Sequence, residues 1–308
     1  MREQPTVVAL GGNTISPPGG RGSAAAQFER TLRTAEHLVH LTGRPLVVTH
    51  GNGPQVGDAL LRSDLAAAVL PRVPLDGCVA DTQGGMGYML AQCLDNAGAA
   101  RPAVTVLTRT VVAGDDPAFR QPSKPIGGFH TEAEARRRIA RDGWVMREDA
   151  GRGWRRVVPS PEPTEILEEL AIRALLDAGR TVVAAGGGGV PVVRHGDGTL
   201  AGVEAVVDKD LATALLAGDL GAAVLLVLTG VEHVALDFGL PTQRDLREVG
   251  AAELAAHARA GQFAPGSMLP KVQAVLRFLE RGGARAVITT PELSEKALAG
   301  EIGTQVTP

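Results

Sequence analysis

The chain has 308 residues, 44% hydrophobic and 21% charged, a balance that excludes a disordered polypeptide. Glycine is abundant at 39 residues and aromatics are scarce at 3%, with no three-residue glycine period, which excludes a collagen-like rod and points to a globular, backbone-rich fold. With 31 basic and 34 acidic residues the net charge is −3, so no global field exists for nucleic acid or an anionic membrane, and any anion must be held locally.

In chain order, an apolar run at residues 6–10 comes first and ends at Gly11-Gly12, without the basic start or long apolar core of a secretory leader. A helix is expected next, because Phe28, Leu32, Ala35 and Val39 recur at spacings of three and four. Further β-branched apolar runs lie at 45–49, 103–108, 181–185, 223–228 and 284–289, and the stretches between them offer helices. One of these helices follows Lys271, with Val272, Leu276 and Leu279 as its stripe. The alternation predicts an α/β fold in which a mostly parallel sheet is flanked by helices. No run reaches membrane-spanning length.

Residues 115–163 break this rhythm and are read as a small lobe inserted in a single domain spanning 1–308. Pro117, Pro122, Pro125, Pro159, Pro161 and Pro163 exclude a central strand there, while Trp144, Trp154, Phe119, Ile126 and Phe129 give the lobe something to bury. Arg136, Arg137 and Arg138 are expected on a solvated helix face. Cys78 and Cys93 form no Cys-x-x-Cys pair and fit buried small hydrophobes in a reducing cytoplasm.

The glycines gather at the carboxyl ends of predicted strands: Gly11-Gly12-Asn13, then Gly51-Asn52-Gly53, then Gly186-Gly187-Gly188-Gly189. Ligands of open α/β sheets bind outside those ends, and glycine lets backbone amides approach a phosphate. None of the loops continues into Gly-Lys-Ser/Thr, and Pro191 occupies the third glycine position of a dinucleotide fingerprint, so the phosphate chemistry is neither P-loop nor Rossmann. The lysines sit in constrained company. Pro125 follows Lys124, Pro270 precedes Lys271, and Lys209 lies between Asp208 and Asp210. Three ordered ammonium groups would meet the charge of a phosphoryl group in transfer. Read for structure alone, Asp208 caps a helix and Pro270 opens one.

These residues resemble the carbamate kinases of the amino acid kinase superfamily. The resemblance runs from Val8-Ala9-Leu10-Gly11-Gly12-Asn13 through Thr49-His50-Gly51-Asn52-Gly53-Pro54-Gln55-Val56-Gly57, Thr82-Gln83-Gly84 and Asp116-Pro117-Ala118-Phe119. It continues in Pro122-Ser123-Lys124-Pro125-Ile126-Gly127 and Pro159-Ser160-Pro161, its most diagnostic segments, and in Asp208-Lys209-Asp210 and Gly266-Ser267-Met268 up to Lys271. It implies a three-layer αβα sandwich with an open, mainly parallel central sheet and a small protruding subdomain at 115–163. The implied reaction is reversible phosphoryl transfer between carbamoyl phosphate and ADP, run toward ATP in catabolism such as that of arginine. Ala9 stands where the wider superfamily has a lysine, and the resemblance gives that role to Lys124.

By the same resemblance Lys124, Lys209, Asp210 and Lys271 are catalytic. Gly11, Gly12, Asn13, Gly51, Asn52 and Gly53 hold the transferred phosphoryl and the carbamoyl end, with the glycine amides as donors. Gly187, Gly188, Thr229, Gly230 and Met268, with Lys209 and Lys271, bind the nucleotide. No protein metal site is implied, since Mg²⁺ rides on ATP or ADP, and the enzyme is a cytoplasmic homodimer with only small-molecule partners. The alternatives on the same fold are a kinase for another small carboxylate or phosphonate and a non-catalytic metabolite sensor.

Overall fold

The computed structural model describes residues 3–15, 23–149 and 151–308, excepting the side chain of Asn13. The chain begins β1 (Thr6–Leu10), α1 (Gly12–Ile15), α2 (Ala24–Leu38), β2 (Leu46–His50), α3 (Gly53–Ala66), α4 (Leu75–Asn96), β3 (Ala103–Thr105) and β4 (Arg109–Val112). It continues through β5 (Lys124–His130), α5 (Glu132–Asp142), β6 (Met146–Glu148), β7 (Trp154–Val158), β8 (Pro163–Ile166), α6 (Glu169–Asp177), β9 (Thr181–Val183), β10 (Val190–Arg194) and β11 (Leu200–Gly202). The remainder is α7 (Lys209–Leu220), β12 (Val224–Leu228), β13 (Val234–Leu236), β14 (Arg244–Leu246), β15 (Glu248–Gly250), α8 (Ala251–Arg259), α9 (Met268–Glu280), β16 (Arg285–Thr289), α10 (Ser294–Leu298) and β17 (Thr304–Thr307).

The main sheet runs β15-β17-β16-β12-β1-β2-β9-β3. It is parallel from β16 to β3, and only β17 runs against β16. Each of the six apolar runs supplies one of its strands, because a strand covered on both faces must be apolar throughout. Val7 and Ala9 of β1 enter the core built with α7 and α9, while Val8 and Leu10 enter the core built with α2 and α4. The same alternation holds for Leu225 and Val227 against Leu226 and Leu228 in β12. Helices therefore cover both faces, which makes the three layers.

Two details differ from the sequence reading. The run 103–108 is a strand only as far as Thr105, and beyond it the Gln83 amide takes over, accepting the Thr108 N–H at 2.5 Å and donating to the Thr108 carbonyl at 3.2 Å. In α2 the deepest residues are Thr31, Thr34, Ala35 and Leu38, and Phe28 and Leu32 are only half-buried. The buried face tolerates threonine because the Thr34 hydroxyl donates to the Thr14 carbonyl at 2.6 Å.

Between β4 and β8 the chain builds a separate antiparallel sheet in the order β5-β7-β6. Pro125 lies in its edge strand, and Pro163 opens β8 at the edge of the sheet β11-β10-β4-β8, where a missing N–H leaves no ladder bond unmade. α5 starts with a reciprocal Thr131/Glu134 capping box and stops at Gly143 with φ 67°. Arg138 corrects the solvated-face expectation: its guanidinium stacks 4.7 Å from the Trp144 ring centre and bonds Asp142, whereas Arg136 is exposed as expected. The Asp116 carboxylate closes the neck of the insertion, accepting the Ala118 N–H at 2.7 Å on the way in and the Glu162 N–H at 3.0 Å on the way out. Cys78 and Cys93 are buried, and burial together with surrounding acids pushes the Cys78 thiol up to about 11. No helix among the described residues is long and apolar enough to cross a membrane.

Candidate active site

The loops after β1 and β2 meet at the carboxyl edge of the main sheet. A methyl group placed on Gly51 would lie 3.7 Å from the Gly12 nitrogen and 3.9 Å from Cδ of Lys209. Two of the four glycine amides expected to face a phosphate do not do so. The Gly11 N–H donates to the Leu228 carbonyl at 2.9 Å and the Gly51 N–H to the Leu10 carbonyl at 3.2 Å, so each closes the last rung of the sheet. Gly12 and Gly53 differ, because they open α1 and α3, where first-turn amides have no intrahelical acceptor. Asn52 is the residue before α3 but does not cap it. Its side chain is buried and donates instead to Thr82 Oγ1 at 3.0 Å. The Asn13 side chain lies outside the described residues.

Gly186, Gly187, Gly188 and Gly189 are buried, and the space a Cβ would take at each is filled by protein. At Gly187, with φ +64°, a Cβ would fall 2.2 Å from Nδ2 of Asn52; at Gly188, with φ +91°, it would fall 2.4 Å from the Val207 carbonyl oxygen. The Gly188 N–H already donates to the Ala185 carbonyl at 3.0 Å. The run thus packs closely against Asn52 and the segment leading to α7, which it seats beside the site.

The charged centre is built on the first turn of α7. Asp208 caps this helix, its Oδ1 accepting the Asp210 N–H at 2.9 Å and the Leu211 N–H at 3.3 Å, while its Oδ2 pairs with the Lys124 ammonium arriving from β5. The capping role and the lysine-holding role are performed by one carboxylate. Asp208 was absent from the predicted site, and its N-cap position beside a lysine is the signal that marks it. Asp210 takes the other two lysines: Oδ1 lies 2.7 Å from Nζ of Lys209 and Oδ2 3.3 Å from Nζ of Lys271, which also donates to the Ser267 carbonyl at 3.3 Å. Lys209 and Asp210 are close enough to pair as charges but miss hydrogen-bond geometry, so Nζ and Oδ1 are buried without a hydrogen bond. Three ammonium groups on two carboxylates, at a helix N-terminus, leave a net positive cradle for an anion.

Thr229 and Gly230 follow β12 beside the Gly11 loop. A methyl on Gly11 would lie 3.8 Å from the Thr229 Cα, and the two residues line a cleft of about 300 Å³ with Thr14 and Thr290. Met268 opens α9, half-buried against the core, three residues before Lys271. A larger cavity of about 570 Å³ lies between α2, α3 and α4, is lined by none of the predicted site residues, and is away from the lysines.

Burial would raise the Asp210 carboxyl, but Lys209 and Lys271 outweigh it and hold it well below the usual carboxylate range. Burial pushes the Lys209 ammonium down, with Asp210 opposing and Lys271 adding to the shift. Burial also lowers His50 to about 4, so this imidazole, packed under Gly186, is neutral at physiological pH. A pH consequence follows for the free enzyme. An ammonium that must be charged to meet phosphate, and whose pKa lies below 10.5, loses its proton early as pH rises. Binding of a phosphate-bearing ligand that needs this ammonium charged should therefore weaken on an alkaline limb below pH 10.5, and Lys209→Arg, charged at every accessible pH, should remove that limb. An unchanged limb in the arginine variant would assign the titration elsewhere.

The sequence profile of the amino acid kinase family matches residues 4–290. The chain is 44% identical to the carbamate kinase of Pyrococcus furiosus, covering 98% of both chains, and 46% identical to carbamate kinase 1 of Enterococcus faecium with the same coverage. It is 47% identical to the carbamate kinase-like protein YahI of Escherichia coli, over 97% of this chain and 98% of that one. Among solved structures, Giardia lamblia carbamate kinase bound to AMP-PNP superposes with a TM-score of 0.90 at 40% identity, covering 99% of this chain and 98% of that chain. An isopentenyl phosphate kinase of T. acidophilum, 13% identical with a TM-score of 0.55, shares the fold.

Proposed function

Because the chain belongs to the amino acid kinase family and matches carbamate kinases along nearly its whole length, we propose that it transfers a phosphoryl group reversibly between carbamoyl phosphate and ADP, giving ATP and carbamate, which decomposes to ammonia and CO2. The observation that carries the residue assignment is the gathering of three ammonium groups, Lys124, Lys209 and Lys271, on two aspartates, with Lys209 buried and paired to Asp210 at 2.7 Å. Three cations on two carboxylates leave one positive charge without an anionic partner, and phosphate oxygens supply it.

Carbamate brings its own anionic oxygen to the phosphorus, so the protein's task is positioning and charge. Gly12, Gly53 and the second N–H of the Asn52 amide would hold the carbamoyl end and the phosphoryl in transfer. Lys124 would reach the equatorial oxygens from the inserted lobe. Lys209 and Lys271 would lie along the nucleotide phosphates, with Thr229, Gly230 and Met268 beside the nucleotide. Asp208 and Asp210 keep the ammonium groups charged and aimed. Among the described residues no three His, Cys, Asp or Glu side chains converge, and the acids at the centre are already paired with lysines, an environment suited to Mg²⁺ delivered on ATP or ADP with its own waters. When bound there, Mg²⁺ would neutralise charge on the phosphates.

We read the enzyme as a cytoplasmic homodimer. In the apolar stretches 78–80 and 88–90 of α4, Cys78, Val79, Met89 and Leu90 are core, whereas Tyr88, 59% exposed, joins Leu70 and Val73 on a surface that a second copy would cover. The deciding assay for function is ATP formation from ADP and carbamoyl phosphate with Mg²⁺, with acetyl phosphate as the control donor. ATP from carbamoyl phosphate well above the control is the expected result, and ATP from neither donor would overturn the reading.

A further inference from the structure

The inserted lobe rests on the body at a point where two backbones touch. A Cβ built on Gly57 of α3 would lie 1.9 Å from the Cα and 2.2 Å from the nitrogen of Gly127 in β5. Gly127 has φ +69°, and its own Cβ position is 3.4 Å from the Gly57 Cα. Around this point Val56 and Leu60 of α3 share one hydrophobic cluster with Ile126 and Val158 of the lobe. From the lobe side, Arg155 Nη2 donates to the Gly127 carbonyl at 3.0 Å. The contact falls one helical turn from Gly53 and three residues from Lys124, so it joins the two segments that carry these residues.

The geometry points to Gly57 and Gly127 as the seat of the lobe: positioning residues whose missing side chains set how far the Lys124 ammonium reaches into the site. This inference rests on the role given to Lys124 above. A side chain at Gly57 forces a 1.9 Å approach to open toward the 3.4 Å of ordinary contact, and the lobe, with Lys124 on it, is what can give way. Neither α7 nor α9 contributes a residue to the hydrophobic cluster around this seat. A displacement of about 1 Å at a reacting centre costs on the order of 10²-fold in rate.

The test is a double-mutant cycle. Gly57→Ala should lower kcat by about 10²-fold, leave the KM for ADP within about twofold, and leave ADP affinity by calorimetry unchanged, which also shows that the variant folds. Gly43→Ala, where nothing lies within 4 Å of the added methyl, serves as the control with wild-type rates. In a Lys124→Ala background Gly57→Ala should cost nothing further, because a residue acting only through another is non-additive with it. Full multiplication of the two effects, a wild-type kcat in Gly57→Ala, or loss of its ADP binding would each overturn the seat. A wild-type rate in Lys124→Ala alone would instead overturn the role of Lys124, so the two failures are distinct.

Discussion

Lys271→Ala is expected to lower kcat for ATP formation by a factor on the order of 10³–10⁵, the range for removing a cation that stabilises a phosphoryl group in transfer. The side chain is 14% exposed, lies in the first turn of α9 and, among the described residues, bonds only Asp210 and the Ser267 carbonyl. On its removal Asp210 keeps Lys209 as its partner. Helix content and melting temperature should therefore stay close to wild type while turnover collapses, and KM for ADP should rise because the same ammonium serves the bound nucleotide. A coupled ADP-to-ATP assay with matched circular dichroism reads both, and a rate within tenfold of wild type would remove Lys271 from the transfer step.

Asp210→Asn should damage rate and stability together. The carboxylate is buried and faces two ammonium groups; the amide keeps its shape and removes the charge they share. Removing one partner of a buried pair costs about 3–5 kcal/mol. That figure is an upper bound here, because Lys209, already pushed down by burial, can release its proton in the folded state. The sign follows from that shift. A lysine whose folded pKa lies below its unfolded value opposes folding where it must be charged, so the variant should be least stable at low and neutral pH and recover as pH rises. Denaturant midpoints across pH 6 to 10 measure this, and kcat should fall by more than ADP affinity. A defect confined to affinity, with kcat intact, would contradict the organising role of Asp210.

What could be read in advance follows from the two kinds of pattern involved. The sheet was legible because burial on both faces forces uninterrupted apolar runs, and residues 6–10 or 223–228 can hardly be anything else. The lysine centre was legible because each lysine had a neighbour, proline or aspartate, that restricts it. Amide direction was not legible: Gly11 and Gly51 occupy the right loops, but whether an N–H points at a ligand or at Leu228 and Leu10 is decided by strand register. The run at Gly186 to Gly189 is ambiguous for a related reason, since glycine for close packing against His50, Asn52, Val207 and Thr110 looks the same in one dimension as glycine for a phosphate. Asp208 was hidden by having two roles at once, the ordinary one of a helix cap masking the pairing with a lysine 84 residues away.

Lys124, which the inserted lobe brings to Asp208, is the residue we propose for the place of the lysine missing at Ala9, and the proposed transfer depends on it most directly. Single-turnover ATP formation by Lys124→Ala, with carbamoyl phosphate and ADP saturating and ADP affinity measured in parallel, tests it. The predicted result is a rate constant lower by about 10³-fold or more with ADP affinity unchanged, and a rate within about tenfold of wild type would contradict it.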